Sequence, residues 1–140
     1  MKISDKILRA AIRSAEKSEF RQRLGAVVFS NKKVISTGFN KPKSHPITKK
    51  FKFGTIHAEI DALLNCREDA EGKDIMVVRL LKRQEFGISK PCIMCKNIIE
   101  SFKINRVFYF NRNGEIEFDF ANKLKVGDHK YEEDIVAGFR

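Results

Sequence analysis

The chain reads as an α/β protein, with helices layered on a mixed central sheet of about five strands. Three observations predict this. Helix-period and strand-like runs alternate in the order αββαβαβ. The run Ile75 to Leu81 is almost wholly apolar, as a strand covered on both faces requires. Asn113-Gly114 stands between two further apolar, aromatic-rich runs and marks a tight hairpin turn. A chain of 140 residues is most simply one domain, large enough to bury a substantial core.

Taken in order, the first element is a helix from about Asp5 to Ser18, whose Ile7, Leu8, Ala11, Ile12 and Ala15 share one face. Leu24 to Ser30 and Val34 to Phe39 are strands joined by a turn at Asn31-Lys32-Lys33, which makes a hairpin. Asn40 to Thr55 reads as a long loop, kept irregular by Pro42 and Pro46. A helix follows from His57 to about Cys66, then the buried strand, then a loop to Lys90. Cys92 to Phe102 is a third helix and Asn105 to Phe110 a strand. Ile116, Phe118 and Phe120 alternate beyond Asn113-Gly114, so the last two strands are predicted to run antiparallel. Beyond Ala121 the periodicity is weak and carries no functional reading.

Composition narrows the function classes. Hydrophobic residues make up 42% and charged residues 33%, which is compatible with a globular protein. Three cysteines offer no disulfide framework, which favours a reducing, cytoplasmic setting. No run is apolar and long enough to span a membrane. The net charge of +10 is unevenly placed: residues 1–60 hold 14 Lys/Arg against 4 Asp/Glu, and residues 61–140 hold 14 of each. Its densest stretch holds Lys41, Lys43, Lys49, Lys50 and Lys52 with no acid. Such a stretch is either a solvated loop or a positive rim that attracts phosphate, so nucleic acid is a partner to weigh for the 41–52 loop.

The chemistry is concentrated in His57-Ala58-Glu59 and Pro91-Cys92-Ile93-Met94-Cys95. His57, Cys92 and Cys95 can supply three zinc ligands and leave the fourth tetrahedral position for water, which separates a catalytic zinc from a closed structural one. Glu59 is then a proton carrier and not a ligand. Cys92 and Cys95 share a face at i and i+3, and Pro91 suits the entry to a helix. The helix dipole and a metal both favour the thiolates that bind zinc. His57 and Glu59 are two apart, and both can reach a metal only from the first turn of a helix. A lone C-x-x-C can also be a redox pair or half of a structural zinc site. A redox pair leaves His57 and Glu59 without a role. A structural site needs a fourth ligand, for which Cys66, His45 and His129 are the spare cysteine and histidines.

H-x-E followed by P-C-x-x-C is the signature of zinc-dependent nucleobase deaminases. With Gly25-Ala26-Val27-Val28 on the first strand and Gly38-Phe39-Asn40 ending the second, residues 1–120 resemble the cytidine deaminase-like superfamily. The resemblance implies a three-layer αβα fold for a catalytic domain over 1–120, with 121–140 a C-terminal tail of no assigned role. It implies zinc (Zn2+) at the starts of two helices and hydrolytic loss of ammonia from a base. Asn40, Ala58, Ser89 and Pro91 would bind the substrate, although Asn40 also suits a plain turn. Homo-oligomers are expected, because small deaminases of this kind generally complete one another's pockets.

The substrate expected first is a cytosine nucleoside or nucleotide of the deoxycytidylate type, with lysines and arginines meeting the phosphate. Many deoxycytidylate deaminases carry a second zinc site in the loop before H-A-E, and this loop has no cysteine. A polynucleotide deaminase acting on cytosine or adenosine in single-stranded DNA or tRNA is the alternative, which the basic loop with Phe51 and Phe53 would suit if those rings stack on bases. Core packing is the plainer role for them. A non-catalytic, zinc-stabilised nucleic-acid-binding module is the third reading, against which Glu59 counts. Cys66 reads as a buried core thiol, His45 and His129 as surface residues, and Arg21-Gln22-Arg23 as a surface turn.

Overall fold

The computed structural model describes residues 3–42, 56–66, 69–81 and 85–124. Helix α1 spans Asp5–Glu16 and begins where Ser4 Oγ accepts from the Ile7 amide at 3.4 Å. Asp5 in its first turn and Arg13 in its last both oppose the helix dipole. Ile7, Ala11, Ser14 and Ala15 form the buried stripe, while Leu8 and Ile12 sit half-buried at its flank.

Strands β1 (Arg23–Ser30) and β2 (Lys33–Phe39) form the first hairpin. Its turn holds Asn31 at φ 55°, a left-handed conformation that asparagine tolerates better than most side chains. Helix α2 spans Ala58–Cys66, strand β3 Asp74–Leu80, helix α3 Ile93–Ser101, strand β4 Arg106–Phe110 and strand β5 Ile116–Phe120. A short 3-10 turn, Ala121–Lys123, follows β5.

The five strands lie in the order β2-β1-β3-β4-β5. β1 is antiparallel to β2 and to β3, β3 is parallel to β4, and β4 is antiparallel to β5. The parallel pair needs a crossover, and α3 provides it. Between β4 and β5 the chain turns at Gly114, whose φ of +77° favours glycine. Asn111 Oδ1 secures that turn by accepting from the amides of Asn113 (2.9 Å) and Glu115 (3.0 Å). β1 and β3 are almost entirely buried because helices cover both faces of the sheet. One face packs Val27, Met76, Val78 and Phe108 against Ile7, Ala11 and Ala15 of α1. The other packs Ala26, Val28, Ile75 and Val77 against Ile60 and Leu63 of α2 and Ile98 and Ile99 of α3.

Two glycines set how closely the helices approach. A Cβ at Gly25 would overlap the backbone of α1 at Ala11 and Ala15. A Cβ at Gly38, on the opposite face, would overlap the Ala62 amide and lie 2.7 Å from the Ala58 carbonyl oxygen. Both obstacles are backbone, so α2 as a whole would have to move. Gly38→Ala is therefore expected to cost about 3 kcal/mol or more in chemical unfolding, at the upper end of overpacking effects. Unchanged stability would show that α2 can shift without loss.

Candidate active and metal centre

Two helix starts converge on one point. The His57 carbonyl accepts from the Asp61 amide at 3.0 Å and so opens α2. The Cys92 carbonyl accepts from the Lys96 amide at 2.8 Å and opens α3, with Cys92 in extended conformation as its N-cap. Cys95 is in the first turn of α3. The ends of both helices therefore present His57 Nδ1, Cys92 Sγ and Cys95 Sγ to one another, all within 4.8 Å. Nδ1 lies 3.2 Å from Cys95 Sγ and 3.7 Å from Cys92 Sγ. A tetrahedral zinc with ordinary Zn–N and Zn–S bonds has N···S edges of about 3.6 Å, so one ion can reach all three atoms. The donor set suits that metal as well, being one imidazole nitrogen and two sulfurs. All three side chains are buried, with Cys95 at 0% exposure.

Glu59, in the first turn of α2, is also 0% exposed. Neither of its carboxylate oxygens has a hydrogen-bond partner among the described residues. Burying a carboxylate without partners is costly, so such a group calls for an explanation beyond packing.

The other predicted residues are placed as follows. Asn40, just past β2, is 0% exposed. Its Oδ1 accepts from the Leu24 amide at 3.0 Å and its Nδ2 donates to the Gln22 carbonyl at 2.9 Å, so the side chain braces the start of β1. Ser89 Oγ donates to the Val77 carbonyl (2.7 Å) and accepts from the Phe110 amide (2.9 Å), tying the segment before Pro91 to β3 and β4. Ala58 and Pro91 are buried beside His57 and Cys92. Cys66 is buried, and burial raises its thiol pKa. Arg21 is exposed, while the Gln22 carbonyl serves Asn40. His45, His129, Lys43, Lys49, Lys50, Lys52, Phe51 and Phe53 lie outside the described residues.

Sequence reasoning passed over Asp61. It is 5% exposed. Its Oδ2 accepts from the Phe39 amide at 3.1 Å and its Oδ1 pairs with Lys41 Nζ at 3.1 Å. An acid two positions after Glu59 in a helix start was the available signal, but its partners lie 20 and 22 residues away in sequence.

An α/β sheet with an imidazole and two thiols converging at helix starts, and a buried carboxylate two residues after the imidazole, fits a zinc-dependent hydrolase centre. The model for the cytidine and deoxycytidylate deaminase zinc-binding region matches residues 1–111. The deoxycytidylate deaminase of Mycobacterium phage D29 is 30% identical over 121 residues, covering 71% of this chain and 87% of the phage protein. The crystal structure of cytidine deaminase from Burkholderia pseudomallei superposes with a TM-score of 0.63 at 22% identity, over 88% of this chain and 96% of that one. The dCMP deaminase of cyanophage S-TIM5 in its apo form gives 0.58 at 22% identity, over 79% and 86%. At that identity the two structures speak for the fold. The chain belongs to the family of cytidine and deoxycytidylate deaminases. Among the described residues no helix is long and apolar enough to cross a membrane.

Proposed function

We propose that this protein hydrolyses the exocyclic amine of a cytosine nucleotide, of the deoxycytidylate type, to give the uracil product and ammonia. The observation that carries the reading is the buried Glu59 carboxylate, without a partner among the described residues, carried by the same helix start as His57, whose Nδ1 meets the two cysteine sulfurs. The similarity to the phage D29 deoxycytidylate deaminase supports the choice of substrate.

In this reading His57 Nδ1, Cys92 Sγ and Cys95 Sγ hold the zinc, which when bound supplies hydroxide near neutral pH. Glu59 takes up the proton released from water. It then delivers that proton to N3 of the ring, takes the second proton from the hydroxyl added at C4 and passes it to the departing amine, and so ends ionised as it began. One water is consumed, the C4–N bond breaks and a C4 carbonyl remains. Burial of Glu59 keeps solvent from competing for that proton. Asn40, Ala58, Ser89 and Pro91 are the residues proposed to meet the substrate, the first and third through a backbone frame that their side chains hold rigid.

The reading includes self-assembly. The family resemblance is what supports it, and Ile93, between the two cysteines at the α3 start and 56% exposed, is one apolar side chain that such an interface could use. A monomer by light scattering at working concentration would remove that part.

The deciding experiment is ammonia release from purified, zinc-loaded protein offered cytosine, cytidine, deoxycytidine, their mono- and triphosphates, adenosine, guanine, and single-stranded DNA and RNA. Deoxycytidine monophosphate is expected to turn over fastest. Preference for any other class would replace the substrate named here.

A further inference from the structure

We propose that Asp61 and Lys41 form a positioning pair that holds His57 in the orientation a metal requires. This rests on the zinc reading above, and neither residue is itself a ligand in it. The two side chains pair at 3.1 Å, with the carboxylate 7% and the ammonium 26% exposed. Lys41 Nζ also lies 4.7 Å from the centroid of the Phe39 ring, whose own backbone amide donates to Asp61.

The consequence lies in the backbone of Lys41. Its amide donates to the Ile56 carbonyl and its carbonyl accepts from the Ile56 amide, both at 3.0 Å. Ile56 precedes His57, and the His57 carbonyl is bound by the amide of Asp61. The contacts thus form a closed ring: Asp61 side chain, Lys41 side chain, Lys41 backbone, Ile56, His57, and Asp61 again. His57 is the one residue of that ring with a donor atom in the metal cluster. The chain enters α2 from a segment whose ends are bridged only here among the described residues. An ion pair that closes the ring limits how far the His57 backbone, and so Nδ1, can turn from the two sulfurs. Groups that orient a metal ligand without touching the metal change its affinity by about 10- to 100-fold when removed.

The test compares Lys41→Met and Asp61→Asn with the unmutated protein and with Asp74→Asn. Asparagine at 61 can still accept from the Phe39 amide, so the fold keeps that bond. Asp74 pairs with Arg106 at 2.7 Å with similar burial, at the starts of β3 and β4, and serves as the control for loss of any half-buried pair. Zinc retention is read by competition with a chelating dye, and exchange of the Lys41 and Ile56 amides by hydrogen–deuterium exchange. Lys41→Met and Asp61→Asn are expected to weaken zinc retention by about tenfold, to speed exchange at both amides, and to be non-additive when combined. Lys41→Arg should retain zinc as the unmutated protein does, and so should Asp74→Asn even where its melting temperature falls. Unchanged zinc retention in both variants, or an equal loss in Asp74→Asn, overturns the proposal. If the unmutated protein holds zinc but releases ammonia from no cytosine substrate, the deaminase reading fails while the pair is still judged by the dye. If it takes up no zinc at all, both fall.

Discussion

Glu59→Ala is expected to hold as much zinc as the unmutated protein and to lose between about 10²- and 10⁴-fold in kcat, the range that a positioned proton carrier contributes. The direction follows from burial and partnership together. A carboxylate at 0% exposure has neither oxygen bonded among the described residues, so its removal breaks no hydrogen bond among them. The three donor atoms of the cluster come from other residues, so the metal has no reason to leave. Metal content by atomic absorption and turnover on the same sample separate the two effects. Activity within tenfold of the unmutated enzyme would remove Glu59 from the reaction; loss of zinc along with activity would make it part of the metal site.

The second large effect is expected from Cys95→Ala. Cys95 is fully buried in the first turn of α3, and its sulfur faces an imidazole carried at the start of α2. A metal there cross-links two helices whose donors lie 38 residues apart in sequence. Because the unfolded chain does not present these donors together, zinc binding adds directly to folding stability. With free zinc at a hundred times the dissociation constant the gain is about 2.7 kcal/mol, on the order of 10 °C in melting temperature for a chain of this size. The unmutated protein should therefore melt lower after chelation and recover when zinc is returned. Cys95→Ala should melt low in both conditions. A melting temperature indifferent to zinc in the unmutated protein would mean that the cluster does not bind the metal in the folded state.

The elements were legible because their signals are local. The stripe of Ile7, Ala11 and Ala15 marks the buried side of α1 wherever that helix ends up, and the apolar run of β3 announces burial on both faces. Helix ends were read less sharply. Ser18, predicted inside α1, lies past its end, where its hydroxyl donates to the Asn40 carbonyl at 3.2 Å and accepts from the Phe20 amide. That bond is made to a strand end 22 residues away, which no local pattern records.

The same division runs through the site. His57, Cys92 and Cys95 could be picked from the chain alone as donors that meet, because a metal demands particular residue types at short spacings, and Glu59 as the acid the proposed reaction would use. Asn40 and Ser89 could be noticed but not understood. Their side chains are spent on the backbone of β1, β3 and β4, and a hydrogen bond between distant segments leaves no periodic trace. Asp61 could be seen only as an acid in a helix start, since its weight comes from Phe39 and Lys41. Residue identity and spacing decided which chemistry this protein can carry. The order of the strands, the fit of α2 against Gly38 and the meeting of two helix starts were decided in three dimensions, because burial patterns say that a surface is covered and never by what.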